Sequence, residues 1–152
     1  MKLLCVILIL FASAFANAEF DYSSYKIEEF GNAVSALEKD SSVEYFIETN
    51  FAKYQVSVKY TGKIRKITKN SSELITQWVR TLQLPKKYQE QLSHEVQIES
   101  QGNFYWLPIQ GNLIEPFSKE VKINTAVNLY IVAIGSMKLI PVFGICEFEA
   151  SK

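Results

Sequence analysis

A strict two-residue alternation over 53–60 is the feature that most limits this chain. Tyr54, Val56, Val58 and Tyr60 fall on one side, and Lys53, Gln55, Ser57 and Lys59 on the other. Successive side chains point to opposite faces of a strand, so this stretch reads as a strand with one buried and one basic face. Such a strand needs partner strands and an apolar layer against its inner side. Thr61-Gly62 offers a turn or a bulge, and 64–68 continues the strand.

The partners lie further on. Val96 and Ile98 alternate with Glu95, Gln97 and Glu99; Gln101-Gly102-Asn103 reads as a hairpin turn, and 104–109 as the returning strand. The stretch 110–125 reads as a long connection with a weak Val121/Ile123 alternation. The nearly continuous apolar run 127–134 is a strand, turned by Gly135-Ser136-Met137-Lys138, and 139–148 returns.

Helical spacing is confined to two places. Ile27, Phe30, Val34 and Leu37 predict an N-terminal helix, broken at Asp40-Ser41-Ser42. Val43, Phe46 and Ile47 then read as a second short helix or an irregular continuation. Asn70 with Glu73 three residues on resembles a capping box, with Asn70 as N-cap. Leu74, Ile75, Trp78, Val79 and Leu82 form the apolar face that follows; Pro85 stops this helix and opens a turn carrying Tyr88 and Leu92. The expected fold is α+β: a small curved antiparallel sheet, or a five-stranded β-barrel of the oligonucleotide/oligosaccharide-binding (OB) type. An N-terminal helix and a helical insertion between strands complete it.

The beginning of the chain bears on where that fold works. Lys2, the apolar run 3–16 and the small-x-small pattern Ala16-Asn17-Ala18 read as a cleavable signal peptide over 1–18. A spanning helix needs about 20 apolar residues, more than this run supplies. One globular α+β domain over 19–152 is expected, exported to a periplasm or the cell exterior. Cys5 leaves with the signal, so Cys146 remains alone and no intramolecular disulfide can form. A disulfide-free exported chain tilts towards a bacterial source. There, the glycosylation sequon Asn70-Ser71-Ser72 is only a helix cap; in a eukaryote Asn70 would be a sugar acceptor.

Candidates for chemistry are few. His94 is the single histidine, so a His-rich metal site is excluded, and no close metal-ligand spacing is present; no cofactor or metal is expected. No Gly-x-Ser-x-Gly elbow or Gly-rich phosphate loop occurs. A Cys146–His94 dyad is conceivable, yet apolar neighbours flank the cysteine, which reads as a buried small hydrophobe. His94 reads as a surface residue. Glu95 and Glu99 share one strand face roughly 13 Å apart at about 3.3 Å per residue, too far for a glycosidase pair, and read as a solvated face. No catalytic residue is expected.

Two constellations point to binding. Lys53, Lys59, Lys63, Arg65, Lys66 and Lys69 form a basic run without an acid, with Tyr54 and Tyr60 interleaved. Residues 19–48 carry eight acids against Lys26 and Lys39 and offer a neutralising partner for it. The second is Phe104-Tyr105-Trp106, where alternation sends Phe104 and Trp106 to one face and Tyr105 to the other. The expectation is a non-enzymatic exported binding domain that uses Tyr54, Tyr60, Lys63, Arg65, Lys66, Tyr105 and Trp106. Its partner is an envelope or extracellular protein or an anionic ligand, with no membrane span after signal cleavage. The alternatives are a small exported enzyme using His94 with Cys146 or a carboxylate, and an electrostatic binder of nucleic acid or an acidic envelope polymer.

Overall fold

A computed structural model describes residues 20–38 and 43–152. The expected signal peptide and the break at Asp40-Ser41-Ser42 lie outside the described residues. Among the described residues the fold is α+β, with one mixed seven-stranded sheet and four α-helices.

The predicted alternating strand is β3 (Lys53–Lys66). Two further short strands flank the sheet, β1 (Lys26–Ile27) parallel to β3 and β2 (Tyr45–Ile47) antiparallel to β6 (Ala126–Met137). The hairpin β4 (Leu92–Ser100) and β5 (Asn103–Gln110) follows, and β6 turns into β7 (Ile140–Ala150). The pairings of five strands run in a closed ring, β3-β4-β5-β7-β6 and back to β3. Gly62, at φ +91°, sits where the β3–β4 register shifts between Tyr60 and Ile64. That bulge bends β3, so its first half pairs with β6 and its second with β4.

One face of these strands feeds the larger core, with Val56, Val58, Ile98, Leu107, Ile131 and Phe143 among its members. Helix α1 (Phe30–Leu37) adds Phe30, which meets Tyr105 at 4.9 Å and Phe143 at 5.5 Å between ring centroids. The other face of β6 and β7, through Val132, Ile134 and Val142, packs on Leu74, Ile75, Trp78 and Val79 of helix α2 (Lys69–Thr81). Burying each of those side chains stabilises the fold by about 1.5–3 kcal/mol. Strand β6 is therefore covered on both faces, which accounts for its unbroken apolar run. The segment after residue 19 is pinned by aromatic edges: Phe20, Tyr22 and Tyr25 close on buried Tyr130 at 5.7, 4.8 and 5.5 Å. No helix among the described residues is long and apolar enough to cross a membrane.

Several local expectations are corrected. Ile27 belongs to β1 and is exposed, not to the helix. Phe46 and Ile47 form strand β2, because β6 offers them a free edge. The cap of α2 is Thr68, whose Oγ1 accepts the Ser71 N–H at 3.4 Å; Asn70 lies inside the first turn and Glu73 pairs with Lys69 instead. Pro85 precedes the short helix α3 (Lys87–Gln91). The connection 110–125 contains helix α4 (Ile114–Glu120), where Pro116 stands in the first turn, at a position whose N–H has no partner within the helix. The last hairpin turns at Lys138-Leu139, both at positive φ, and Gly135 lies within β6. A Cβ on Gly135 would sit 2.0 Å from the Phe46 carbonyl oxygen, so glycine lets β2 approach.

Candidate functional site

The outer face of β3 and β4 is a ladder of polar pairs. Lys59 stands opposite Glu99 and bonds it; that bond holds the Glu99 carboxyl below the usual range. Thr61 Oγ1 donates to Gln97 Oε1 at 2.9 Å. Arg65 stands opposite Glu95, and its Nε donates to Glu95 Oε2 at 2.8 Å.

The two ends of this ladder differ. Glu95 is 1% exposed, so it is not the solvated residue that alternation implies. The start of α2 covers it. Ser71 Oγ donates to Glu95 Oε1 at 2.5 Å, and Thr68 Oγ1 donates to Ser71 Oγ at 3.1 Å. A buried carboxylate is tolerated only when paired and hydrogen-bonded, and both oxygens of Glu95 are engaged. The Arg65 guanidinium lies over the Trp106 ring at 3.9 Å from its centroid. Tethered through Nε and stacked on an indole, its Nη groups make no protein hydrogen bond among the described residues.

These groups form the floor of a cavity of about 490 Å³. One wall is Phe104, Tyr105 and Trp106 of β5; the other is Ile140, Pro141 and Val142 of β7, with Leu139 at the hairpin tip. Phe104, Leu139 and Ile140 are 64%, 52% and 62% exposed. Large apolar side chains thus rim a groove with a polar floor. Glu38 also lines it.

The sequence-predicted residues are split by this geometry. Arg65, Tyr105 and Trp106 come together in the groove. Tyr105 also packs its ring on Phe30. Lys63 and Lys66 are exposed on β3 and do not line the groove. Tyr60 is not a surface contact: it is buried, packs edge-on against Phe117 at 4.9 Å, and burial raises its hydroxyl pKa. Tyr54 is half-buried on the core side beside β1 and β6. Among the described residues no ion pair joins the basic run to an acid of 19–48. Lys59 and Arg65 pair with acids of β4, and Lys69 with Glu73 of α2. Sequence reasoning missed Glu95, Ser71, Leu139 and Ile140; Lys59 and Arg65 stand six residues apart and Glu95 and Glu99 four, so the bulge between Tyr60 and Ile64 hides their pairing from the sequence.

A second cavity, of about 270 Å³, lies beside α2 and holds Cys146, Tyr25, Trp78 and Lys53, but not His94. Burial pushes the Cys146 thiol pKa up, against a partly offsetting hydrogen bond from Tyr25. His94 is half-buried and its Nδ1 lies 2.9 Å from Ser93 Oγ. Among the described residues no group of three His, Cys, Asp or Glu side chains converges as metal ligands would.

Against known proteins, the chain matches no family model and no curated protein sequence.

Proposed function

We propose that this chain is an exported, non-enzymatic binding domain built on a small OB-type barrel. Its ligand or protein partner sits in the groove between β5 and β7. The barrel reading is supported by the closed order of five pairings and by a long, bulged first strand shared between two neighbours. Export is supported by the 1–18 pattern. The observation that carries the binding reading is the groove itself: an arginine fixed by a buried carboxylate and an indole, under a rim of exposed Phe104, Leu139 and Ile140.

Two observations weigh against the alternatives. Lys59, Arg65 and Lys69 already have acidic partners, which reduces the charge available to a polyanion. Cys146 has a raised pKa in a cavity whose lining does not include His94, a poor setting for a nucleophile.

The test is capture from the source's own envelope and culture fluid by wild type and by Phe104→Ala/Leu139→Ser, whose sites are exposed enough to leave folding intact. A partner held by wild type and lost from the variant is expected. Identical captured material, or a turnover activity that His94→Ala abolishes, overturns the reading. Mass analysis of the exported protein should place its first residue at Glu19.

A further inference from the structure

The groove has walls of a particular kind: both are strand edges. Strands β5 and β7 run parallel, and their pairing is the single register pair Ile109↔Ile145. On its other side β5 is paired with β4 from Ser100↔Asn103 to Leu92↔Gln110. Strand β7 is likewise paired with β6 along its length. Towards Phe104 and Ile140 the two strands part, and the cavity of about 490 Å³ opens between them. Backbone N–H and C=O groups along a parted edge are donors and acceptors without a strand partner, a ready template for another chain. The stretch of β5 along the cavity, Asn103 to Trp106, spans roughly 10 Å at about 3.3 Å per residue, enough for a four-residue strand.

We propose that the groove receives an extended strand from a partner protein, paired through its main chain to the β5 edge. Alternate apolar side chains of that strand meet Phe104, Leu139 and Ile140, and one acidic side chain meets the Nη groups of Arg65. The inference rests on the groove being the binding site and adds the partner's class and mode. Strand addition of this kind draws affinity from main-chain hydrogen bonds and specificity from alternate side-chain contacts. Strand β5 is the pairing edge because no proline interrupts 103–107, whereas Pro141 lies in the facing stretch of β7. Charge complementarity sets the acidic side chain: Arg65 keeps its Nη donors because Glu95 engages only Nε. Glu38 on the lining disfavours a second acid.

The experiment is selection of a displayed library of random twelve-residue peptides on the purified protein. Enriched peptides are then synthesised with N-methyl groups on either alternate set of amides. Expected is a consensus of alternating apolar residues with one Asp or Glu, bound in the micromolar range or tighter. One methylated series should lose about 100-fold in affinity and the other little. Hydrogen exchange should slow at Asn103–Trp106. Arg65→Gln should weaken the acidic peptide about tenfold and leave its amide analogue unchanged. If peptides lose binding to Phe104→Ala/Leu139→Ser yet both methylated series bind alike, strand pairing is overturned and the groove reading stands. Peptides indifferent to the groove variants overturn both. No enriched peptide, or a groove filled by a second copy in sedimentation analysis, overturns the partner-strand proposal alone.

Discussion

Replacing Arg65 by Met is the sharpest test of how the groove floor is held. The side chain keeps its apolar stem over Trp106 but loses the Nε donor to Glu95. Glu95 is 1% exposed and would keep only Ser71 Oγ as partner. Breaking a fully buried pair typically costs about 3–5 kcal/mol. Arg65 is 41% exposed, however, so solvent screens part of its attraction. A charged hydrogen bond of about 1.5–3 kcal/mol is the better guide, and about 2 kcal/mol is expected. For a domain of this size that lowers Tm by roughly 6–8 °C. Urea denaturation of Arg65→Met, Glu95→Gln and the double variant closes a double-mutant cycle. Because the neutral amide no longer needs a cation, the double variant should be about as stable as Glu95→Gln alone, a coupling of about 1–2 kcal/mol. Additivity within about 0.5 kcal/mol would refute the reasoning, since it would mean that Arg65 and Glu95 contribute independently.

Gly135→Ala forces a Cβ to within 2.0 Å of the Phe46 carbonyl, at φ +155°. A loss of about 3 kcal/mol, with faster hydrogen exchange at Tyr45–Ile47, is expected, and an unchanged denaturation midpoint would count against the β2–β6 pairing. Burial raises the Cys146 thiol pKa, so the reactive thiolate is scarcer at pH 8 in the folded chain than in the unfolded one. Thiol labelling should run at least about tenfold slower without urea than with it, and equal rates would contradict the burial. The Glu28 carboxyl is held at about 2 by hydrogen bonds from the Asn32 amide, from Lys26 and from the Glu29 N–H. Its contribution to stability is therefore present above the ordinary carboxylate range and is lost as pH falls through that range towards 2. An NMR titration should show Asn32→Ala moving the Glu28 midpoint upward; no movement would reject the hydrogen bond as its main cause.

What could be read from the chain, and what could not, divides along physical lines. Strands β3 to β7 were legible because each carries a two-residue or continuous apolar period, and α2 because its apolar face repeats at helical spacing. Strand β2 was not, since three residues hold no full period of either kind and only the edge of β6 decides their state. Helix α4 was hidden by Pro116, which reads as a breaker unless the helix start is known to fall two residues earlier. The candidate site divides in the same way. Alternation correctly puts Glu95 and Glu99 on one face, but the face is not uniform. The insertion between β3 and β4 folds its first turn back over Glu95 and leaves the Lys59–Glu99 end open. Identical periodicity thus yields one buried, doubly bonded carboxylate and one surface ion pair, and the difference comes from α2, a segment outside either strand. The parting of β5 from β7 is more remote still. It depends on the register of two strands far apart in the chain, which no local pattern encodes. Arg65 and Trp106 could be named as binding residues from their types, but their partners across the groove, Leu139 and Ile140, looked like an ordinary strand start. Their exposure has a cause only when the missing neighbour on that side of β7 is seen.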